Sequence, residues 1–305
     1  MYANQTSVET GKRRAYAMLL CFTIIGGFTS MSFAARGKSS SPPSPSQEWS
    51  KAHLSVDDPR PLAAAIEVLE ARYGWVITYE DPRYVYSGDI KDVTLSVRRD
   101  LDKYKPGEAP KVLIPKGGTL TFEYDVPSDT NLPDDRQTVV QGLLDAYAAS
   151  GNAGRFRLEN NGRIIHVIPT AVNNSDGQLM PQDSILDTKI SLTAGERTEM
   201  QRLEAICSAI TEATKIPVWV GTVPTNLLLQ HRDSEGAAQQ KARDVLVNLL
   251  ETVSSRANWS WQLFYDPSPG LKIYILNIHP VIKHEQLTSE RSQVTSITYP
   301  AVGAI

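Results

Sequence analysis

Apolar positions along the chain follow two alternating periods. Leu62, Ile66, Leu69 and Tyr73 recur at helical spacing and stop at Gly74, and Trp75-Val-Ile-Thr-Tyr79 then reads as a strand, with Leu54-Ser-Val56 as a shorter one before the helix. Asp58 and Pro59 offer that helix an N-cap and a first-turn proline. A second helical face, Val140, Leu143, Leu144 and Tyr147, ends at Gly151-Asn152; Arg155-Phe-Arg-Leu158 then turns through Asn160-Asn-Gly162 into Ile164-Ile-His-Val-Ile168. The same order returns downstream. Ile190-Ser-Leu192 precedes a helix through Met200, Leu203, Ile206 and Ile210, with Thr193 and Glu196 spaced as a capping box, and Pro217-Val-Trp-Val220 follows as a strand. Val245, Leu246, Leu249, Leu250 and Val253 line a further helix, and strands from Trp259 to Tyr265 and Lys272 to Ile278 flank the turn Asp266-Pro-Ser-Pro-Gly270.

Leu143-Leu144 match Leu249-Leu250, Asn152 matches Asn258 and Pro169 matches Pro280, so the chain reads as an α+β protein of two tandem β-α-β/β-α-β-β modules. The first module is expected to carry an inserted β-hairpin, Lys111 to Tyr124, turning at Lys116-Gly117-Gly118 with Leu120, Phe122 and Tyr124 on its apolar face. The expected boundaries are a signal peptide over 1–34, a Ser/Pro-rich tether over 35–52 and a first module over 53–170. A linker over 171–187, a second module over 188–282 and a polar tail over 283–305 complete the chain.

Lys12-Arg13-Arg14 before the uncharged run Ala15 to Ala35, with Ser32-Phe33-Ala34 at its end, reads as an export signal cut after Ala34, and retention of the run as an anchor is the competing reading. Export places the protein in the periplasm or cell envelope. Removal of the signal leaves Cys207 as the one cysteine, at helical spacing among Leu203, Ile206 and Ile210, where it serves as a small buried hydrophobe. A net charge of −3 argues against nucleic acid as a partner.

The run Arg60-Pro-Leu-Ala-Ala-Ala-Ile-Glu-Val-Leu-Glu-Ala-Arg-Tyr-Gly-Trp-Val-Ile-Thr-Tyr-Glu-Asp81, with Thr138-Val-Val-Gln-Gly-Leu-Leu-Asp-Ala-Tyr-Ala-Ala-Ser-Gly-Asn152 after it, resembles the secretin and TonB N-terminus short domain, STN. In that family a leucine-rich helix ends at a glycine before a strand closing on Tyr-Asp, and a Leu-Leu helix ends at a second glycine before a hairpin. Here Tyr79-Glu80-Asp81 has one residue more, and the second unit keeps clearly only the Leu-Leu helix and hairpin. The resemblance covers roughly residues 54–170 and, more weakly, 188–281. It implies a small periplasmic α+β module that contacts other proteins. No series of alternating ten-residue strands follows Ile278, so the attachment to a channel does not carry over.

Chemistry is sparse. His53, His166, His231, His279 and His284 show no zinc-protease spacing, His166 reads as a partly exposed strand residue, and His279 with His284 reads as a strand end before it reads as a metal pair. Asp125, Asp129, Asp134 and Asp135 gather in one loop without the glycine and terminal glutamate of an EF-hand. No motif calls for a cofactor, a metal or a catalytic residue. Trp259, Trp261, Leu263 and Tyr265 share one strand face, read as core packed on the Leu249/Leu250 helix before a stacking platform.

Two functions stay open. One is an exported, non-catalytic interaction module with an envelope protein as partner, bound along a strand edge at Lys111, Thr119, Thr121 and Glu123. The other is a hydrolase of cell-wall or peptide substrate using the acids from Asp125 to Asp135 with His166. Contact with a membrane is expected only through a retained signal anchor.

Overall fold

The computed structural model describes residues 48–128, 132–133, 135–253 and 258–283. The expected signal segment, most of the expected tether, Asp129, Asp134, His284 and the residues beyond Lys283 lie outside them. The chain is α+β. Its first half runs β1 (Trp49–Asp58), α1 (Pro61–Tyr73), β2 (Val76–Glu80), β3 (Ile90–Asp92), the single turn α2 (Thr94–Val97), β4 (Leu113–Pro115), β5 (Gly118–Pro127), α3 (Arg136–Ala149), β6 (Arg155–Asn160) and β7 (Ile164–Asn173). After β8 (Leu179–Pro181) come β9 (Lys189–Leu192), β10 (Arg197–Thr198), α4 (Glu199–Thr214), β11 (Val218–Val220) and α5 (Thr225–Gln230). The remaining elements are β12 (Arg232–Asp233), β13 (Ala237–Lys241), α6 (Ala242–Val253), β14 (Asn258–Asp266) and β15 (Ile273–Val281).

Local chemistry sets several of these ends. Gly74 closes α1 in the left-handed conformation, φ 72°, which costs a residue without Cβ nothing. That helix begins at Pro61, and Asp58 Oδ1 accepts the Arg60 N–H just ahead of it, so neither Asp58 nor Pro59 holds the expected cap position. The capping box of α4 is Thr198 with Gln201, five residues beyond Thr193, because β10 pairs with β12 and delays the helix.

The expected hairpin does not form. β4 pairs with β3, Ile90 opposite Pro115, while β5 runs antiparallel to β1 from Asp58↔Gly118 to Trp49↔Pro127. A ten-residue strand with Leu120, Phe122 and Tyr124 on its buried face needs a partner of its own length, and the three residues of β4 do not supply one. Lys116-Gly117-Gly118 is a wedge between the two ladders. Gly117 has φ +56°, and a Cβ there would lie 2.1 Å from the Asp58 carbonyl oxygen. The same pairing recruits Trp49 to Ala52 into β1, so the strand includes residues expected to belong to the tether, ahead of the expected start at His53.

One sheet crosses the whole fold, in the order β11-β15-β14-β2-β7-β6, with β8 on the end of β7. Both halves show the same pairings within it: β2 with β7 and β11 with β15 are parallel, β6 with β7 and β14 with β15 antiparallel. Outside it, β9 pairs with β13 as β1 does with β5. The halves meet where β14 joins β2 in parallel, Gln262 opposite Tyr79 and Leu263 opposite Glu80.

Residues opposite one another share a sheet face and successive residues alternate, so this register places the two helix pairs on opposite faces. Ile77, Tyr79, Ile165 and Val167 belong to the core under α1 and α3; Trp261, Leu263, Leu276 and Ile278 belong to the core under α4 and α6. Leu54, Leu120, Phe122 and Tyr124 join the α1/α3 core from its far side. Two helices are thereby held between a two-stranded and a larger sheet, once on each face. Within 171–187, Ile185 and Leu186 are buried in the second core. Among the described residues no helix is long and apolar enough to cross a membrane.

Leu143 and Leu249, each 0% exposed, hold the matching places in the two cores. Truncation of either to Ala is expected to cost on the order of 2–5 kcal/mol, and equilibrium urea unfolding of the two variants measures it.

Candidate functional site

The backbone of β5 presents one free side. Ser128 N–H donates to Glu48 O at 2.9 Å just beyond the last register pair, and antiparallel pairs alternate between bonded and non-bonded. Counting back along the ladder, Leu120, Phe122, Tyr124 and Val126 turn their peptide groups to β1, whereas Thr119, Thr121 and Glu123 turn theirs away. No strand pairs with β5 on that outer side among the described residues. The structure therefore sets three of the four candidate edge residues in a row. Lys111 is apart from them: it precedes β4, and its Nζ lies 3.8 Å from Asp92 Oδ2 on β3. Along the wet face of the pair, Lys51 meets Asp125 at 2.7 Å and His53 meets Glu123 at 3.5 Å, exposed contacts that add little stability.

A cleft of about 230 Å³ opens at the start of this edge, with Tyr84, Asp89, Lys116, Thr119, Tyr147 and Asn152 in its wall. Tyr147 Oη donates to Ala153 O at 2.6 Å, and Asp89 Oδ2 accepts from Asn173 Nδ2 at 2.9 Å. Burial raises both phenols above the ordinary tyrosine range and lifts the Asp89 carboxyl as well. Neutral phenols offer hydrogen bonds at the wall of this cleft.

The other candidates are structural. His166 is buried, against the expectation of partial exposure, because its strand is covered on both faces: Nδ1 pairs with Thr78 Oγ1 at 2.7 Å and the ring lies 5.4 Å from that of Trp261. Asp125 sits in an exposed ion pair on β5, and Asp135 caps α3 by accepting the Gln137 N–H. The α1/α3 layer separates Asp125 from the sheet face that carries His166, so the proposed acid and histidine do not converge. His279 Nε2 pairs with Glu70 Oε2 at 2.8 Å. Among the described residues no His, Cys, Asp or Glu cluster could hold a metal. Trp259, Trp261, Leu263 and Tyr265 are core, and Cys207 is buried with its thiol pushed up to about 12 by desolvation.

Sequence reasoning missed the charges at the join between halves. Glu80 Oε1 is met by Arg243 Nη1 from α6 and Glu80 Oε2 by Ser184 Oγ, and Arg243 Nη2 reaches Asp187 Oδ1 at 3.3 Å. On the opposite face Asp81 accepts from Arg60 Nε at 2.6 Å, Tyr79 Oη at 2.8 Å and the Tyr265 N–H at 2.9 Å. Two adjacent acids closing a buried strand were the one available signal. Their arginine partners follow only from the three-dimensional packing.

The chain matches no family model, no curated protein and no solved structure.

Burial, and secondarily Arg243, depresses the His166 pKa from 6.5 to about 4. The folded state thus favours the neutral ring, and the stability tied to it is complete above about 6.5 and lost as pH falls through about 4. An NMR titration should show the His166 ring neutral at pH 5.5. A His166→Asn variant should lose less stability than the unmodified protein between pH 6.5 and 4.

Proposed function

We propose that this chain is an exported, non-catalytic protein-interaction module of the cell envelope, composed of two tandem STN-like units. The repeated pairing order in the two halves supports the tandem reading, and the basic-then-apolar leader supports export. The observation that carries the interaction role is the outer edge of β5, where the peptide groups of Thr119, Thr121 and Glu123 face away from β1 with no strand beyond them among the described residues. An extended segment of an envelope protein adds there as a further strand; its main chain supplies affinity, and its terminal group enters the cleft by Tyr84 and Tyr147. The β1 partner holds β5 rigid over ten residues, so little ordering of this chain opposes binding.

Thr121→Pro removes an outward N–H and leaves the bonds to β1 in place. The folded variant is expected to melt close to the unmodified protein and to lose the envelope partner captured by it. Thr119→Ala with Glu123→Ala should retain that partner, because main-chain groups make the contact. Capture unchanged by Thr121→Pro, with folding verified by circular dichroism, would remove β5 as the binding edge.

A further inference from the structure

The join between the two halves is itself a strand addition, and both of its components recur at the ends of the sheet, with no further strand paired to them among the described residues. Within the sheet, β14 is the edge of the second half's three strands, β11-β15-β14, and β2 is the edge of the first half's, β2-β7-β6. Their counterparts are β6 and β11, the two outer strands of the sheet. The correspondence holds residue by residue. Phe156 stands opposite Pro169 as Trp259 does opposite Pro280, and the Ile77 N–H goes to Glu70, seven residues back, as the Val218 N–H goes to Thr211.

The peptide groups on these edges point outward. Proline has no N–H, so the pairs at Pro169 and Pro280 are non-bonded ones, which turns Phe156, Leu158 and Asn160 away from β7 and Trp259, Trp261 and Leu263 toward β2. Leu263 O accepts the Asp81 N–H at 2.8 Å, as this alternation requires. On β11, Pro217 O accepts from Tyr274 N and Gly221 N donates to Leu276 O, so Val218 and Val220 face away from β15. Thr211 satisfies Val218, and Val220 is left as the outward donor.

A side chain marks the same surface. Thr78, one residue before Tyr79, is 0% exposed because the other half covers it; Trp219, one residue before Val220, is 55% exposed. An aromatic ring stands in solvent at the position that a join would bury.

From these we infer that a second copy of this chain adds its β6 edge to β11 in parallel, repeating between molecules the join that β14 makes with β2. Gln262↔Tyr79 and Leu263↔Glu80 become Glu159 opposite Val220 of the next copy and Asn160 opposite its Gly221. The internal join places successive halves on opposite sheet faces, a half-turn about the axis perpendicular to the strands. Two such steps bring the chain back to its own orientation, apart from sheet twist. The contact is therefore head-to-tail and not self-closing, with a spacing of about 29 Å for six strands at about 4.8 Å. It uses neither face nor edge of β5 and stands apart from the proposed function.

Sedimentation velocity of the purified protein over a concentration series tests this. The expected result is a series of species extending past the dimer as concentration rises; a monomer up to the millimolar range, or a dimer that grows no further, overturns the inference. Val220→Pro blocks β11 and Leu158→Pro blocks β6. Each alone should be monomeric, and an equimolar mixture should give a heterodimer and stop there, since one intact edge of each kind remains. A Val220→Pro protein that assembles like the unmodified one, or a mixture of folded variants that stays monomeric, also overturns it. Should Leu158→Pro fail to fold, Val220→Pro added to the unmodified protein must shorten its assemblies by capping one end, and no shortening counts against the inference.

Discussion

Everything in this fold depends on β2 being buried on both faces. All five of its residues are buried, and it ends in Glu80, followed by the buried Asp81, the two pointing to opposite sides of the sheet. Removing a carboxylate from water costs several kcal/mol even after relaxation, and burial raises both of these carboxyls above their ordinary range despite their cationic partners. Each acid is therefore tied to an arginine, and the ties join the halves in both directions. Arg243 reaches Glu80 from the second half's last helix, and Arg60, bonded to Asp81, donates to Tyr265 O at 2.9 Å. The ladder between β14 and β2 is short, with two register pairs, so these charges and the ring contact of His166 with Trp261 fix how the halves meet. Breaking such a pair strands a buried charge, at roughly 3–5 kcal/mol. The pairs thereby specify one register out of several that the backbone alone would allow.

The elements of the fold were largely legible in the sequence because each carries its own period. The α1 face from Leu62 to Tyr73 and the α3 face from Val140 to Tyr147 are buried as their spacing requires, and Gly74 stops α1 by its backbone conformation. What was not legible is pairing between segments far apart in the chain. Lys116-Gly117-Gly118 carries the composition of a hairpin turn, yet Gly117 is needed for close approach to Asp58 and Pro59, and that contact exists only once β5 has found β1. β13, with four exposed residues out of five, has no strand period at all and is held by its pairing with β9.

The candidate site divides in the same way. Alternation along Leu120, Phe122 and Tyr124 puts the Thr119, Thr121 and Glu123 side chains on the exposed face, since period two is a property of the strand whatever its partner, while the side their peptide groups face follows from the pairing with β1. Lys111 fails because its membership of that edge depended on the hairpin. His166 fails for a related reason: Ile164 to Ile168 reads equally well as a strand covered on one face or on both, and it is the second half of the chain, packed through Trp261, that closes the other face.

The outer edges of the sheet lack what makes the internal join permanent. Opposite Asn160 of a neighbouring copy stands Gly221 where the internal join has Glu80, and the residue after it is Thr222 where the join has Asp81. The helix position that carries Arg243 in α6 carries Gln137 in α3, which bonds Asn160 of its own chain at 3.0 Å. No buried charge would be left stranded by separating two copies, so their contact rests on a few main-chain hydrogen bonds and the cover of Trp219. β11 is three residues long, and β6 carries Arg157 and Glu159 in an ion pair and a register shift at Arg155. Short strands, charges and bulges are the features that keep sheet edges from uncontrolled growth. The internal edge is locked by charge and the external edges are kept weak by its absence, so one pairing geometry serves both a fixed fold and a reversible contact.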